Sequence, residues 1–198
     1  MATTFAPEAP SSWKDNPKEW LTSLDIERVM QQWEHEHPEF TFIGPSPIDF
    51  DKLVGGTCVW PELCTFSLRK LLARGIRKIG IVFNLDPHYK PGSHWVTMFI
   101  DVPRSTILYF DSAGDGVPAQ IRQLAARIKA QAADLGITMS VLDNRGVQHQ
   151  RQNTECGVYA IYAMTELVSG RKELSHFLEG RIPDEKMLSL RSFYFDVK

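Results

Sequence analysis

The chain has 198 residues, enough for one domain with a full hydrophobic core. Its 22 basic and 24 acidic residues leave a formal net charge of −2, so no overall positive field indicates nucleic acid or a membrane surface as a partner. No apolar run is long enough to span a bilayer, and the N-terminus lacks the basic and apolar regions of a signal peptide. We therefore expect an intracellular protein that is not secreted.

The N-terminal third is predicted to contain a tail, two helices and a loop. Residues 1–12 are rich in Ala, Pro, Ser and Thr and predict a loose tail before a single domain over residues 13–198. Apolar residues at helical spacing predict a helix over Ser23–Glu36. Glycines and prolines predict a loop over residues 44–57, and residues 58–73 are predicted to form the next helix.

The middle of the chain changes to a strand pattern. Lys78–Asn84 (KIGIVFN) is nearly all apolar, which is typical of a central strand. Two further strands are predicted over Trp95–Val102 and Ser105–Asp111, joined by a tight turn. An amphipathic helix over Val117–Leu135 and a strand over Ile137–Leu142 follow.

The C-terminal part is predicted to be helical. Cys156–Val168 is apolar on nearly all sides, which indicates a buried helix, and a last helix is predicted from Asp184 to about residue 190. Helices on the faces of a small central mixed sheet define the α+β class.

The three cysteines are Cys58, Cys64 and Cys156. An odd, low count without a secretion signal is typical of a reducing compartment. Cys58 and Cys64 lack a second Cys or His pair at zinc-ligand spacing, so we predict two buried free thiols. The sequence indicates no metal site and no cofactor.

A predicted hairpin brings a histidine and an aspartate together. Its turn at Pro103-Arg104 makes the numbers of paired residues add to about 207, so His94 faces the region that begins at Asp111. Directly opposed side chains have Cβ atoms about 4.5–5.5 Å apart. The Asp111 carboxylate can then hold one imidazole nitrogen, which leaves the other nitrogen free to take a proton from a nucleophile.

Cys156 is the candidate nucleophile because it begins a predicted buried helix. The reactive form is the thiolate, and both a helix N-terminus and a neighbouring imidazolium stabilise that negative charge. Gly157 lets a substrate carbonyl approach the backbone closely. The Cys156 amide and the side chain of Gln150 can then donate hydrogen bonds to the oxyanion. Each residue alone is common in ordinary cores, but all of them in one order argue against coincidence.

These motifs resemble the ubiquitin-like-protein protease and adenovirus-protease group of cysteine peptidases. In that group a His-Trp strand start, an Asp downstream and a Gln shortly before Cys-Gly form the catalytic signature. The matching residues are His94-Trp95, Asp111-Ser112, Gln150 and Cys156-Gly157, with Trp20-Leu21 near the domain start. The resemblance implies a papain-like fold of the SUMO-protease type and a thiol protease with a His-Asp-Cys triad and a Gln oxyanion donor.

Two segments resemble more closely the proteases of large DNA viruses: Asn153–Tyr159 (NTECGVY) and Pro47–Phe50 (PIDF). The resemblance therefore implies processing of viral structural polyproteins, in the host cytoplasm or the virion. SUMO-type proteases follow Trp-Leu with Asn-Asp where this chain has Thr22-Ser23, which disfavours SUMO as the substrate. Two other classes stay open. One is an isopeptidase acting on ubiquitin or a ubiquitin-like modifier, and the other is an acetyltransferase, which the lack of a basic excess disfavours.

The expected partner is a protein or polyprotein with a glycine-rich cleavage site. Trp95 follows the candidate base, and Trp20 lies where relatives place a second tryptophan. Two facing indoles leave a slot that admits backbone but not a branched Cβ, which predicts cleavage after Gly-Gly or Gly-X-Gly. The alternative for both tryptophans is a place in the core.

Overall fold

A five-stranded mixed sheet with helices on both faces organises the chain. A computed structural model describes residues 6–197. The strands are β1 (Phe40–Pro47), β2 (Leu53–Val54), β3 (Thr57–Cys58), β4 (Lys78–Asn84), β5 (Trp95–Asp101), β6 (Thr106–Phe110) and β7 (Ser140–Asp143). The helices are α1 (Ser23–Glu36), α2 (Pro61–Cys64), α3 (Leu68–Ala73), α4 (Ala119–Ala133), α5 (Cys156–Val168), α6 (Ser175–Leu178) and α7 (Asp184–Tyr194), with a 3-10 helix over Ser11–Lys14.

The sheet has the order β1-β4-β5-β6-β7, and β2 pairs with β3 in a separate hairpin. The outer pairs, β1 with β4 and β6 with β7, are parallel, whereas the inner pairs are antiparallel. The β5–β6 hairpin has the predicted register, because Thr97 lies opposite Phe110 and Asp101 opposite Thr106. The predicted α+β class with a mixed central sheet is confirmed.

Two hydrophobic cores cover the two faces of the sheet. On one face lies α5, all of whose residues are buried, and it packs against β5, α1 and α7. On the other face, the apolar side of α4 packs with residues of α2, α3 and the central strands. Because α5 is apolar on nearly every side, it is stable only when other helices and the sheet cover it. This packing holds its first residue, Cys156, at one end of the sheet.

The predictions between residues 44 and 67 are wrong. Strand β1 extends to Pro47, and the predicted loop contains the β2–β3 hairpin. The helix predicted over residues 58–73 is two short helices, since Trp60 is extended before Pro61 and a new helix begins after Ser67. The Ser67 hydroxyl accepts a hydrogen bond from the Lys70 N–H, which is an N-cap that interrupts the earlier helix.

Elsewhere the deviations are at element ends. Helix α4 is shorter than predicted at both ends, β7 begins at Ser140 rather than Ile137, and α7 continues to Tyr194. Such shifts of a few residues are ordinary at fraying ends. Helices α1 and α5 have the predicted bounds, and Thr22 caps α1.

The prediction of a loose tail is wrong for residues 6–12, and residues 1–5 lie outside the described part of the chain. The Ala9 N–H donates to the Asp196 carbonyl at 3.0 Å, and the Asp196 N–H donates to the Pro7 carbonyl at 2.8 Å. Trp13 packs edge-on against Phe195, with ring centroids 5.0 Å apart. The N-terminal segment is therefore held by the C-terminal one.

Cys58 and Cys64 are joined in a disulfide, so the prediction of two buried free thiols is wrong. Both are half-buried, and the bond links β3 to the end of α2. The Asp51 carboxylate lies within 4.8 Å of the sulfurs but pairs with Arg127 at 3.2 Å. Bonded sulfurs offer no thiolate to a metal ion.

None of the helices within residues 6–197 combines the length and apolar character that crossing a membrane requires.

Candidate active site

The β5–β6 hairpin places a histidine beside a buried carboxylate. His94 directly precedes β5 and Asp111 directly follows β6, so the hairpin register brings them to the same end of the sheet. The His94 Nε2–H donates to the Asp111 Oδ1 at 2.6 Å. Asp111 is fully buried, whereas the His94 side chain keeps 20% of its exposure and can be reached from solvent.

The position of Asp111 is fixed by neighbours that sequence reasoning missed. The Asn144 side chain accepts from the Asp111 N–H at 2.9 Å and donates to the Asp111 carbonyl at 2.7 Å. The Ala113 N–H donates to the Asp111 Oδ1 at 2.8 Å. Asn144 is buried just after β7, and only the pairing of β6 with β7 brings it to Asp111.

Cys156 is the first residue of α5 and is buried. Burial lowers the pKa of His94, but the hydrogen bond to Asp111 and the electrostatic interaction with Asp111 and Cys156 outweigh it and raise the pKa to about 10. The imidazole is therefore protonated at neutral pH, and it interacts with both the carboxylate and the sulfur. The imidazolium and the N-terminus of α5 both place positive charge beside the Cys156 sulfur.

Gln150 lies in the loop that leads to α5 and is buried. Its N–H donates to the Ser112 carbonyl at 2.8 Å, and its side-chain Oε1 accepts from the Ser112 hydroxyl at 2.6 Å. Among the described residues, no hydrogen bond engages its Nε2. That N–H₂ group is therefore available to a substrate oxyanion.

His149 has a structural role next to Gln150. It is fully buried, its Nε2–H donates to the Phe177 carbonyl at 2.9 Å, and its Nδ1 accepts from the Ile182 N–H at 3.1 Å. Burial lowers the pKa of His149, so it stays neutral and keeps both bonds. The segment before Gln150 is thereby anchored to the C-terminal part of the chain.

The segment before α1 lies over the start of α5. The Trp95 indole N–H donates to the Leu21 carbonyl at 3.0 Å. A Cβ on Gly157 would lie 2.9 Å from the Cβ of Leu21, so glycine is required there for packing. Trp20 is 45% exposed, which argues against a place in the core and leaves its indole accessible beside this segment.

A groove of about 290 Å³ runs beside Trp95. Trp60 and Asn84 are among its lining residues, and His88 lies on its rim, where it is held by a 2.7 Å contact with Asp49. The groove therefore adjoins the residue that directly follows His94.

Cys156 is also positioned by a buried ion pair. Glu155 directly precedes Cys156, and its carboxylate accepts two hydrogen bonds from Arg191 of α7, at 2.9 and 3.0 Å. Both side chains are buried, and the Arg191 guanidinium stacks over Trp13 at 4.6 Å. The pair neutralises a carboxylate that would otherwise repel a thiolate. No sequence pattern joins residues 36 positions apart, so this pair was not predicted.

We expect Arg191→Ala to lower the free energy of unfolding by about 3–5 kcal/mol, because it leaves the Glu155 carboxylate buried without a counter-charge. The measurement is urea unfolding at neutral pH. Glu173→Ala is the control, since Glu173 is exposed and pairs with Arg104, and such exposed pairs contribute less than about 1 kcal/mol. Equal losses for the two variants would contradict the role given to the buried pair.

Comparison with known proteins matches this chain to cysteine proteases. The model of the Ulp1 protease family, C-terminal catalytic domain, matches residues 76–198. A protein of Acanthamoeba polyphaga mimivirus that is named as a thiol protease is 31% identical over 196 residues, covering 97% of this chain. The chain spans 60% of the length of that relative.

Two solved structures are similar in fold. The crystal structure of an African swine fever virus protease superposes with a TM-score of 0.81 at 25% identity, covering all of this chain and 74% of the viral one. The yeast Ulp1 protease domain in complex with SMT3, the yeast ortholog of SUMO, superposes with a TM-score of 0.63 at 20% identity, covering 90% of this chain and 76% of that one. At that identity, the second likeness shows the fold alone.

Proposed function

The chain belongs to the Ulp1 protease family, and on that premise we propose that it is a cysteine endopeptidase. Cys156 is the nucleophile, His94 the general base and Asp111 its orienting partner. Gln150 donates to the oxyanion. The observation that carries the proposal is the position of the His94 ring, which is hydrogen-bonded to the buried Asp111 and close enough to Cys156 to interact with it.

The reaction follows from this arrangement. The Cys156 thiolate attacks the substrate carbonyl carbon, and the oxygen takes up the negative charge in reach of the Gln150 Nε2–H₂ and the Cys156 amide. The His94 imidazolium gives its proton to the leaving amine, and the acyl group stays on sulfur. The neutral imidazole then takes a proton from water, whose oxygen attacks the thioester carbon. The carbon–sulfur bond breaks, which releases the acid and returns the Cys156 thiolate beside the His94 imidazolium.

Viral structural polyproteins with glycine-rich cleavage sites are the proposed substrates, cleaved in the host cytoplasm or the virion. Two viral proteins, one named as a thiol protease and one as a protease, match nearly all of this chain, which supports a viral maturation role. The residues after Trp20-Leu21 also disfavour SUMO. The carboxylate of Asp25 accepts from the N–H and the hydroxyl of Thr22, both at 2.7 Å, so this acidic group is engaged in the cap of α1.

An isopeptidase is the second candidate. The exposure of Trp20 supports it equally, because a slot that admits glycine would also admit the Gly-Gly tail of a ubiquitin-like modifier. Cleavage rates on a modifier fusion and on a Gly-Gly-X peptide separate the two. Faster cleavage of the peptide supports the endopeptidase, and cleavage of the fusion alone supports the isopeptidase.

We expect Trp20→Ala to relax the preference for glycine, because it removes one wall of the proposed slot. The measurement is the ratio of kcat/KM for paired peptides that present Gly-Gly and Gly-Ala before the scissile bond. The wild type should favour Gly-Gly, and Trp20→Ala should lower the ratio. Trp95→Ala should do the same, although it also removes the bond to Leu21.

Phe193→Ala is the matched control for this experiment. Phe193 is 48% exposed, close to the exposure of Trp20, but it lies on α7. The control should keep the wild-type ratio. A wild type that cleaves both peptides equally well, or a Trp20→Ala ratio equal to that of the control, would rule out the slot and leave the catalytic residues unaffected.

A further inference from the structure

We propose that Ser112 is a positioning residue, which orients the amide of Gln150 so that its Nε2–H₂ group meets the oxyanion. This inference rests on the proposed function. It concerns a residue to which the catalytic signature assigns no role of its own, since Ser112 merely follows the orienting aspartate.

Three hydrogen bonds join Ser112 to the segment that carries Gln150. Its carbonyl accepts from the N–H of Gln150 at 2.8 Å and from the N–H of His149 at 3.0 Å. Its hydroxyl donates to the Gln150 Oε1 at 2.6 Å. Ser112 is 1% exposed and Gln150 is 6% exposed, so water competes little for these groups.

The hydrogen bond from the Ser112 hydroxyl matters because the two ends of the Gln150 amide interact with an anion in opposite ways. The N–H₂ end stabilises an oxyanion, whereas the carbonyl end repels it. A glutamine side chain also has several rotatable bonds, and catalysis by a donor is strongest when its orientation is set before the charge develops. By donating to Oε1, Ser112 holds the carbonyl end away and leaves both Nε2 hydrogens unused by the residues that the structure describes.

Ser112 also links the two halves of the site. The preceding residue, Asp111, holds the His94 ring, and Asn144 fixes the Asp111 backbone from both sides. Ser112 then holds Gln150. One dipeptide at the end of β6 therefore positions both the base and the oxyanion donor, although Gln150 lies 38 residues further along the chain.

The test compares Ser112→Ala, Gln150→Ala and the double variant on a Gly-Gly peptide. Gln150→Ala should lower kcat by about 10²–10³-fold. Ser112→Ala should lower kcat by roughly tenfold with KM unchanged, the size expected for one buried hydrogen bond. The double variant should be no slower than Gln150→Ala, because Ser112 acts only through that amide.

Thr165→Val is the matched control. Thr165 is also buried on α5, nine residues after Cys156, and its hydroxyl bonds the Tyr194 hydroxyl at 2.8 Å. The control deletes a buried hydroxyl and should leave kcat unchanged, and thermal melting shows whether each variant is folded. A Ser112→Ala enzyme with wild-type kcat would overturn the inference. So would a double variant whose loss is the product of the single losses.

A second readout does not depend on turnover. The side-chain N–H₂ signals of Gln150 in an NMR spectrum are assigned by their absence in Gln150→Ala. They should shift in Ser112→Ala and stay in place in Thr165→Val. Unchanged signals in Ser112→Ala refute the inference. A folded wild type that cleaves no better than Cys156→Ala refutes the proposed function alone.

Discussion

Replacement of Cys156 by alanine should abolish peptide cleavage, because in the proposed mechanism its sulfur forms the covalent intermediate. The variant should fold normally. The residue is buried at the start of α5, and exchanging a thiol for a hydrogen there removes little packing volume. The measurement is the rate of cleavage of a Gly-Gly peptide, with thermal melting as the check on folding.

The other two cysteines supply the control. Replacing both Cys58 and Cys64 by serine removes the disulfide and two sulfurs but touches none of the proposed catalytic groups. That variant should keep its cleavage rate even if its melting temperature falls. Substantial cleavage by Cys156→Ala would contradict the proposed mechanism as a whole.

His94→Ala should remove activity almost entirely, and Asp111→Asn should have a milder effect with a characteristic change in pH dependence. Asp111 contributes a hydrogen bond and a negative charge to the pKa of His94, which is raised to about 10. The imidazolium is present below that pH and is lost above it. The alkaline limb of kcat/KM should therefore lie well above the ordinary range of histidine, and it reports the Cys156–His94 pair as a unit.

An amide at position 111 can still accept a hydrogen bond but carries no charge, so Asp111→Asn should move this limb to lower pH. The linked effect on stability has the same sign. Because the folded-state pKa of His94 is raised, its contribution is fully present below pH 6.5 and is lost as the pH rises through about 10. An alkaline limb at the same pH in wild type and Asp111→Asn would contradict the role assigned to the carboxylate.

Much of this site could be predicted from the sequence because the signals that define it lie close together in the chain. The turn at Pro103-Arg104 sets the hairpin register, and the register alone brings His94 to Asp111. The period and composition of Cys156–Val168 mark a buried helix and therefore its first residue. Turn chemistry and helical period are short-range signals, and both can be recognised within about twenty residues.

The tertiary structure alone decided which residues hold the proposed catalytic residues in position. Asn144 reaches Asp111 only through the pairing of β6 with β7, and Arg191 reaches Glu155 only through the packing of α7 on α5. Ser112 and Gln150 meet across 38 positions, Trp95 and Leu21 across 74.

The same difference between local and long-range signals explains why strand β1 was not predicted. Strand β1 pairs in parallel with β4, which begins 38 residues after the start of β1, and no hairpin turn marks such a pair. The sequence by itself therefore determined the class of the fold, the predicted catalytic residues and their order. The three-dimensional packing decided how those residues are held, because contacts between distant segments depend on the whole core and leave no periodic trace in the chain.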